Sequence, residues 1–226
     1  MRVVTADEMR RVDRCAQRQF GIPEMILMEH AGTAVARRAR RLLSRKTLPS
    51  RQVLVMAGGG ANGGDGLVAA RHLDNWRIPV QVLLFAEFDR LRGAARRNLG
   101  ILRRLGIPVS VVRSLRDWRE CVRHRARPRL VVDALLGTGL SGEVREPIRS
   151  AIRWMNRQSC EIVAVDLPSG LCSDTGQPCG ISVRADETVT LGFLKVGLRR
   201  GAGPRFSGRV TVAEISLPQR LRWEDD

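Results

Sequence analysis

Four short apolar runs recur along the chain: Val53-Leu54-Val55-Met56-Ala57, Val80-Gln81-Val82-Leu83-Leu84-Phe85, Leu130-Val131-Val132-Asp133 and Ile162-Val163-Ala164-Val165-Asp166. Each is five or six residues long at most and nearly continuous in its apolar character, so both faces of each strand need cover, as in a parallel sheet packed between helices. Weaker strand patterns lie at Val109 to Val112, Thr188 to Phe193 and Val210 to Glu214. Helical patterns fit Leu67 to Asn75, Arg90 to Leu105, Leu115 to Arg125 and Pro147 to Gln158. The alternation predicts a Rossmann-like, doubly wound three-layer α/β/α domain with a mostly parallel central sheet. At 226 residues with no repeat, low-complexity tract or long linker, the chain is expected to form one domain.

Two helices should precede this sheet. Thr5-x-x-Glu8 reads as a capping box, and Met9, Val12, Ala16 and Phe20 keep one face of the following helix apolar up to Gly21. After Gly21-Ile22-Pro23, the residues Met25, Met28, Ala31, Val35, Ala39 and Leu42 give a second, longer helix with arginines on its far side. The tail, Gln219 to Asp226, reads as frayed.

Open parallel sheets bind ligands beyond the carboxyl ends of their strands, and three strand ends here carry unusual loops. Gly58-Gly59-Gly60-Ala61-Asn62-Gly63-Gly64-Asp65-Gly66 follows one strand and precedes the helix expected from Leu67. Six of its nine residues are glycine, which lets backbone amides approach a phosphate beside a helix N-terminus. The second loop follows Asp133 as Ala134-Leu135-Leu136-Gly137-Thr138-Gly139-Leu140-Ser141-Gly142, again rich in glycine and hydroxyl groups. The third, Asp166-Leu167-Pro168-Ser169-Gly170, sets a carboxylate three residues from a hydroxyl. Asn62, Asp133 and Ser169 together offer oxygen ligands suited to a hard cation. Taken singly, Asp133 could equally cap a helix, and the Asp166 and Ser169 pair could simply close a turn.

The formal net charge is +16, and all but Lys46 and Lys195 of the 39 basic residues are arginines spread over the whole length. A surplus of this kind attracts polyanions. With no tyrosine and five phenylalanines, however, stacking platforms for bases are scarce, so a nucleic-acid partner is not expected. No apolar run approaches the roughly 20 residues that span a bilayer. The polar N-terminus lacks the apolar segment of a secretory signal, so the expectation is a cytoplasmic protein without a membrane partner. Five cysteines, without a C-x-x-C pair, are expected to be reduced structural thiols.

The three loops, in this order, resemble those of the NAD(P)H-hydrate epimerase family, the YjeF N-terminal domain. That family's G-x-G-N-N-G-G-D-G loop stands here as Gly58 to Gly66, its A-x-L-G-T-G-L stretch as Ala134 to Leu140 and its D-x-P-S-G stretch as Asp166 to Gly170. Its L-M-E-x-A-G helix matches Leu27 to Gly32, and its T-x-T-x-G-x-x-K strand matches Thr188 to Lys195. The resemblance covers nearly the whole chain and implies epimerisation of the R and S forms of hydrated NADH and NADPH, an isomerase activity in metabolite repair. It implies a potassium ion held by Asn62, Asp133 and Ser169. It places substrate on Ala61, Asn62, Gly63, Gly64 and Asp65, on Gly137, Thr138, Gly139, Leu140, Ser141, Gly142 and Glu143, and on Asp166. A homodimer and a dehydratase on another polypeptide are further implications. One position departs from the family pattern: Ala61 replaces the first asparagine of the N-N pair and removes a side-chain amide, while the backbone donors stay.

The chemistry requires a proton donor for a leaving hydroxyl, a base for incoming water and anchors for a pyrophosphate. Asp166 is expected to do the acid/base work, because the resemblance commits Asp133 to the cation. Lys195 is read as a group that neutralises charge at the ring or phosphate; the alternative is an ordinary surface lysine. His30, His72 and His124 are expected to be structural. Two other readings compete. A non-catalytic RNA- or partner-binding module on the same fold is favoured only by the charge. A nicotinamide-dependent dehydrogenase would need an acidic residue about 20 residues beyond the glycine loop to hold the ribose; the second strand instead ends at Phe85-Ala86-Glu87, and no substrate-side catalytic pair is apparent.

Overall fold

The computed structural model describes residues 2–44, 52–123 and 125–223. Val3–Val4 (β1) leads into helix Ala6–Arg18 (α1) and then Glu24–Leu43 (α2). The sheet and its helices follow as Val53–Gly58 (β2), Ala61–Asn75 (α3), Val80–Phe85 (β3), Gly93–Arg104 (α4), Val109–Val111 (β4), Leu115–Arg123 (α5), Leu130–Ala134 (β5), Ile148–Met155 (α6) and Glu161–Val165 (β6). The chain ends through Glu187–Leu191 (β7), Leu194–Lys195 (β8), Gly203–Ser207 (α7), Arg209–Ala213 (β9) and Arg220–Trp223 (α8).

Seven strands form one sheet in the order β4-β3-β2-β5-β6-β7-β9. Every pairing between them is parallel. The chain winds outward in one direction through β3 and β4 and in the other through β5 to β9, so the strand order reverses between β2 and β5, where a ligand crevice forms in such sheets. Helices α2, α3 and α4 cover one face around Val35, Leu67, Leu73 and Leu99, and α5 and α6 cover the other around Trp118, Ile152 and Met155. β2 and β5 are buried along their whole lengths, the condition their unbroken apolar runs imply.

The capping box of α1 is complete: Glu8 N donates to Thr5 Oγ1 at 3.2 Å and Thr5 N to Glu8 Oε2 at 2.6 Å. The tail differs from its expected fraying. Arg220–Trp223 forms a helical turn because Leu221 finds a place in the core, while residues 224–226 lie outside the described part. Among the described residues, no helix is long and apolar enough to cross a membrane. All five cysteines are free thiols. Trp118 is buried between Phe85 and Trp154 in the second core, which removes it from any base-stacking surface. His72 is held by Glu29 at 2.7 Å and Thr33 at 2.9 Å, and His30 by Ser216. His124 and Lys46 lie outside the described residues.

Candidate active site

A cavity of about 660 Å³ opens at the switch point, walled by the ends of β2, β5, β6 and β8 and by helices α1, α2 and α3. The glycine-rich segment meets it in an unexpected form. Instead of a loop running to Leu67, only Gly59 and Gly60 connect, and α3 starts at Ala61 with Gly60 as its N-cap. Glycine is a poor helix former; close packing overrides that cost here. A Cβ on Gly63 would lie 1.9 Å from the Gly58 carbonyl oxygen, and one on Gly66 would lie 2.5 Å from the Ala134 Cβ. These glycines let α3 press onto β2 and β5, so its first turn, through Ala61 and Asn62, lines the crevice.

Ala61, Asn62 and Asp65 line the cavity, as do residues 137–141 from the loop after β5. Gly63 and Gly64 sit behind that surface, Gly63 against Gly58 and Gly64 against Met28. Gly142 and Glu143 are exposed away from the cavity wall, and Glu143 pairs with Arg149 at 3.7 Å. Glu87, the acidic residue near the end of β3, is likewise outside it, in an exposed pair with Arg113 at 2.7 Å.

Asp166 follows directly on β6 with a left-handed backbone, φ 64°. Aspartate tolerates that region better than most residues, and such conformations concentrate at functional sites. The Asp166 amide donates to the Val189 carbonyl at 2.8 Å, which keeps the backbone on the sheet while the side chain turns into the cavity. Its Oδ1 receives the Lys195 ammonium at 2.5 Å and the Leu191 amide at 3.1 Å, and the Thr190 hydroxyl lies at 3.2 Å. Lys195 is fully buried rather than on the surface, and its ammonium also donates to the Leu191 carbonyl at 2.6 Å. The backbone beneath it is fixed by β1, with Val4 opposite Lys195.

Asp133, Ser169 and Asn62 meet around the peptide of Leu136. Ser169 donates its amide to Asp133 Oδ2 at 2.8 Å and its hydroxyl to Oδ1 at 2.5 Å. The Leu136 amide donates to Ser169 Oγ at 2.9 Å, and the Asn62 amide group donates to the Leu136 carbonyl at 3.1 Å. Asp133 thus caps no helix, and among the described residues no cationic side chain pairs with it. Burial pushes its carboxyl up to about 6 against the opposing Ser169 hydrogen bonds. A buried carboxylate without a counter-charge, ringed by a hydroxyl, an amide and a carbonyl, suits a hard monovalent cation. No cluster of three or more His, Cys, Asp or Glu side chains suited to a metal occurs among the described residues.

The cavity also holds acidic groups that sequence reasoning passed over. Asp13 and Glu24 line it, together with Arg10 and Gln17. Burial raises Asp13 to about 6, opposed by the Lys195 ammonium and reinforced by the carboxylates of Asp166 and Glu24. Asp65 is held well above the usual carboxylate range by burial and by the neighbouring Asp166 and Asp13. The available signal for Asp13 was its place four residues beyond Met9, on the border of the apolar stripe of α1 and amid Arg10, Arg11 and Arg14.

Residues 24–197 match the family model described as YjeF-related protein N-terminus. The chain is 44% identical over 223 residues to the bifunctional NAD(P)H-hydrate repair enzyme of Salinibacter ruber, covering 96% of this chain and 41% of that protein. It therefore spans about two fifths of the length of the bifunctional relatives it matches. It is 37% identical over 225 residues to the NAD(P)H-hydrate epimerase of Pirellula staleyi, covering 100% of this chain and 97% of that one. To the NAD(P)H-hydrate epimerase of Oenococcus oeni it is 36% identical over 200 residues, 88% of this chain and 89% of that one. The crystal structure of yeast ynu0 superposes with a TM-score of 0.78 at 25% identity, covering 94% of this chain and 87% of that one.

Proposed function

Because this chain belongs to the YjeF-related N-terminal family, we propose that it epimerises the R and S forms of hydrated NADH and NADPH. The observation that carries the reading is the buried Asp166 and Lys195 pair on the wall of a switch-point cavity. The cavity's volume of about 660 Å³ lies within the range typical of small-molecule sites. Names of whole-length relatives support the same activity.

The substrate's pyrophosphate sits against the amides at the N-terminus of α3 and of residues 137–141, where helix polarity favours an anion. Ala61 contributes there through its backbone. The hydrated ring reaches the Asp166 and Lys195 pair. Its hydroxyl is on the carbon beside the ring nitrogen, whose lone pair helps to expel it as water and leaves a planar iminium. Water then returns to either face. Asp166 moves the proton, and Lys195 holds that carboxylate in place and steadies its charge. Asn62, Asp133 and Ser169 would hold a potassium ion, which would supply fixed positive charge to the site. The homodimer, the cytoplasmic location and a dehydratase that acts on the same hydrate remain parts of this proposal, carried by the family resemblance and, for the dehydratase, by the bifunctional relatives.

The test is to give purified protein the R epimer of hydrated NADPH, with and without potassium, and follow epimer interconversion by chromatography against the spontaneous rate. Acceleration that falls by about 10²-fold or more in Asp166→Asn is the expected result. A rate no faster than background under both conditions would sink the reading.

A further inference from the structure

Helix α1 forms the wall of the cavity that the family match, beginning at residue 24, does not reach. Its placement is built into the fold. β1 pairs in parallel with β8 so that Val4 faces Lys195, and α1 begins two residues later. Met9, Arg10, Asp13 and Gln17 line the cavity, at spacings that put them on one side of the helix. Val12 and Ala16, on the adjoining side, are buried in the core and fix the helix's rotation.

The Asp13 carboxyl enters the cavity with no hydrogen bond or ion pair to any described residue. The same holds for Asp65 on α3, which is only 7% exposed. Asp13 is half-buried and Asp65 buried, and both line the cavity with their oxygens open to polar groups of a ligand. Asp166 differs in kind, since an ammonium and a backbone amide already donate to it. Among the cavity's carboxyls, Asp166 is supplied with donors and Asp13 is not, a difference of environment that separates a base from an acid.

We propose that Asp13 is a second catalytic residue, transferring protons on the face of the substrate ring opposite the face served by Asp166. This rests on the epimerase reading above and adds a residue to it. Epimerisation removes water from one face of the ring carbon and returns it to the other. A ring clamped by its pyrophosphate cannot present both faces to a single fixed carboxylate. In one direction the Asp13 carboxyl gives its proton to the departing hydroxyl, and the carbon–oxygen bond breaks with its electron pair leaving on water. The nitrogen lone pair forms the carbon–nitrogen double bond. A water on the opposite face then bonds to carbon, returns the pair to nitrogen and gives its proton to Asp166. In the other direction the two carboxyls exchange roles. Burial that raises Asp13 to about 6 leaves a useful fraction protonated near neutrality. The charged groups around it are Lys195 on β8, Asp166 after β6, Glu24 on α2, Asp65 on α3 and Arg10 on its own helix.

The experiment compares wild type, Asp13→Asn and Asp13→Glu for epimerisation rate across pH 5 to 9, for NADPH affinity by calorimetry, and for thermal unfolding. Asp13→Asn should lose about 100-fold or more in rate, bind NADPH as the wild type does, and unfold at pH 8 no lower than the wild type. Asp13→Glu should recover part of the rate and keep the high-pH limb of the profile, the fall in rate as the donor carboxyl ionises, that Asp13→Asn lacks. An Asp13→Asn rate within threefold of wild type with the same limb would overturn the proposal. So would a rate loss matched by lost NADPH binding, or a Glu variant no better than Asn. A wild-type protein that fails to epimerise at all would instead remove the function beneath it, so the two failures are distinguishable.

Discussion

The Lys195 ammonium and the Asp166 carboxylate face each other at 2.5 Å with side chains 1% and 11% exposed, on strand ends that only the folded sheet brings together. A pair this dry gains little net stability over an apolar one, but losing either partner strands a charge. Lys195→Met should therefore destabilise the protein by about 3–5 kcal/mol in urea titration. Adding Asp166→Asn to it should cost less than Asp166→Asn alone does in the wild type, because the two changes share one interaction. Additive effects would show that the pair is not coupled.

The fit of α3 onto β2 gives a second expectation. Gly63 has no room for a methyl group, since its Cβ would meet the backbone oxygen of Gly58 rather than a side chain able to swing away. Gly63→Ala should lower stability by about 1–3 kcal/mol or more despite alanine's better helix propensity. It should weaken NADPH binding as well, because the helix N-terminus must shift. Gly60→Ala, with nothing within 4 Å of its added carbon, is the control and should leave stability nearly unchanged. Equal unfolding midpoints for the two variants would contradict the packing argument.

Asp65 ties stability to pH. In the unfolded chain its carboxyl ionises near the usual 3.8, whereas in the folded protein burial and the nearby carboxylates hold the proton to well above that. The folded state thus binds more protons over this window, and its stability falls as pH rises through it. Asp65→Asn removes the penalty. Its unfolding midpoint should exceed that of the wild type by more than about 2 °C at pH 8, with the gap closing toward pH 4. Differential scanning calorimetry at the two pH values reads this directly, and a gap that widens at low pH would reverse the sign.

Much of this was legible locally. Thr5 and Glu8 announce the start of α1 because both bonds of the box lie within four residues. The apolar runs announce β2, β3, β5 and β6 because a strand covered on both faces has no polar side to write. The strand ends announced where the candidate site would sit, and Asp133, Ser169 and Asn62 do converge on Leu136. The start of α3 was not legible, because a glycine-rich segment has no helical preference of its own and becomes helical only against β2, β5 and Met28. The turn at Arg220–Trp223 was hidden for a similar reason, since it depends on the core site that receives Leu221.

The sequence by itself determined the class of fold, the strand ends that carry the candidate site and the family, since each is written in local pattern or in a contiguous motif. Only the tertiary structure decided which groups share a dry cavity. Asp13 stands 153 positions from Asp166 and 182 from Lys195 in the numbering. The β1 and β8 pairing sets Asp13 near both, and burial then raises the Asp13 carboxyl above the usual carboxylate range. Burial and proximity over such separations are properties of packing, and no local pattern encodes them.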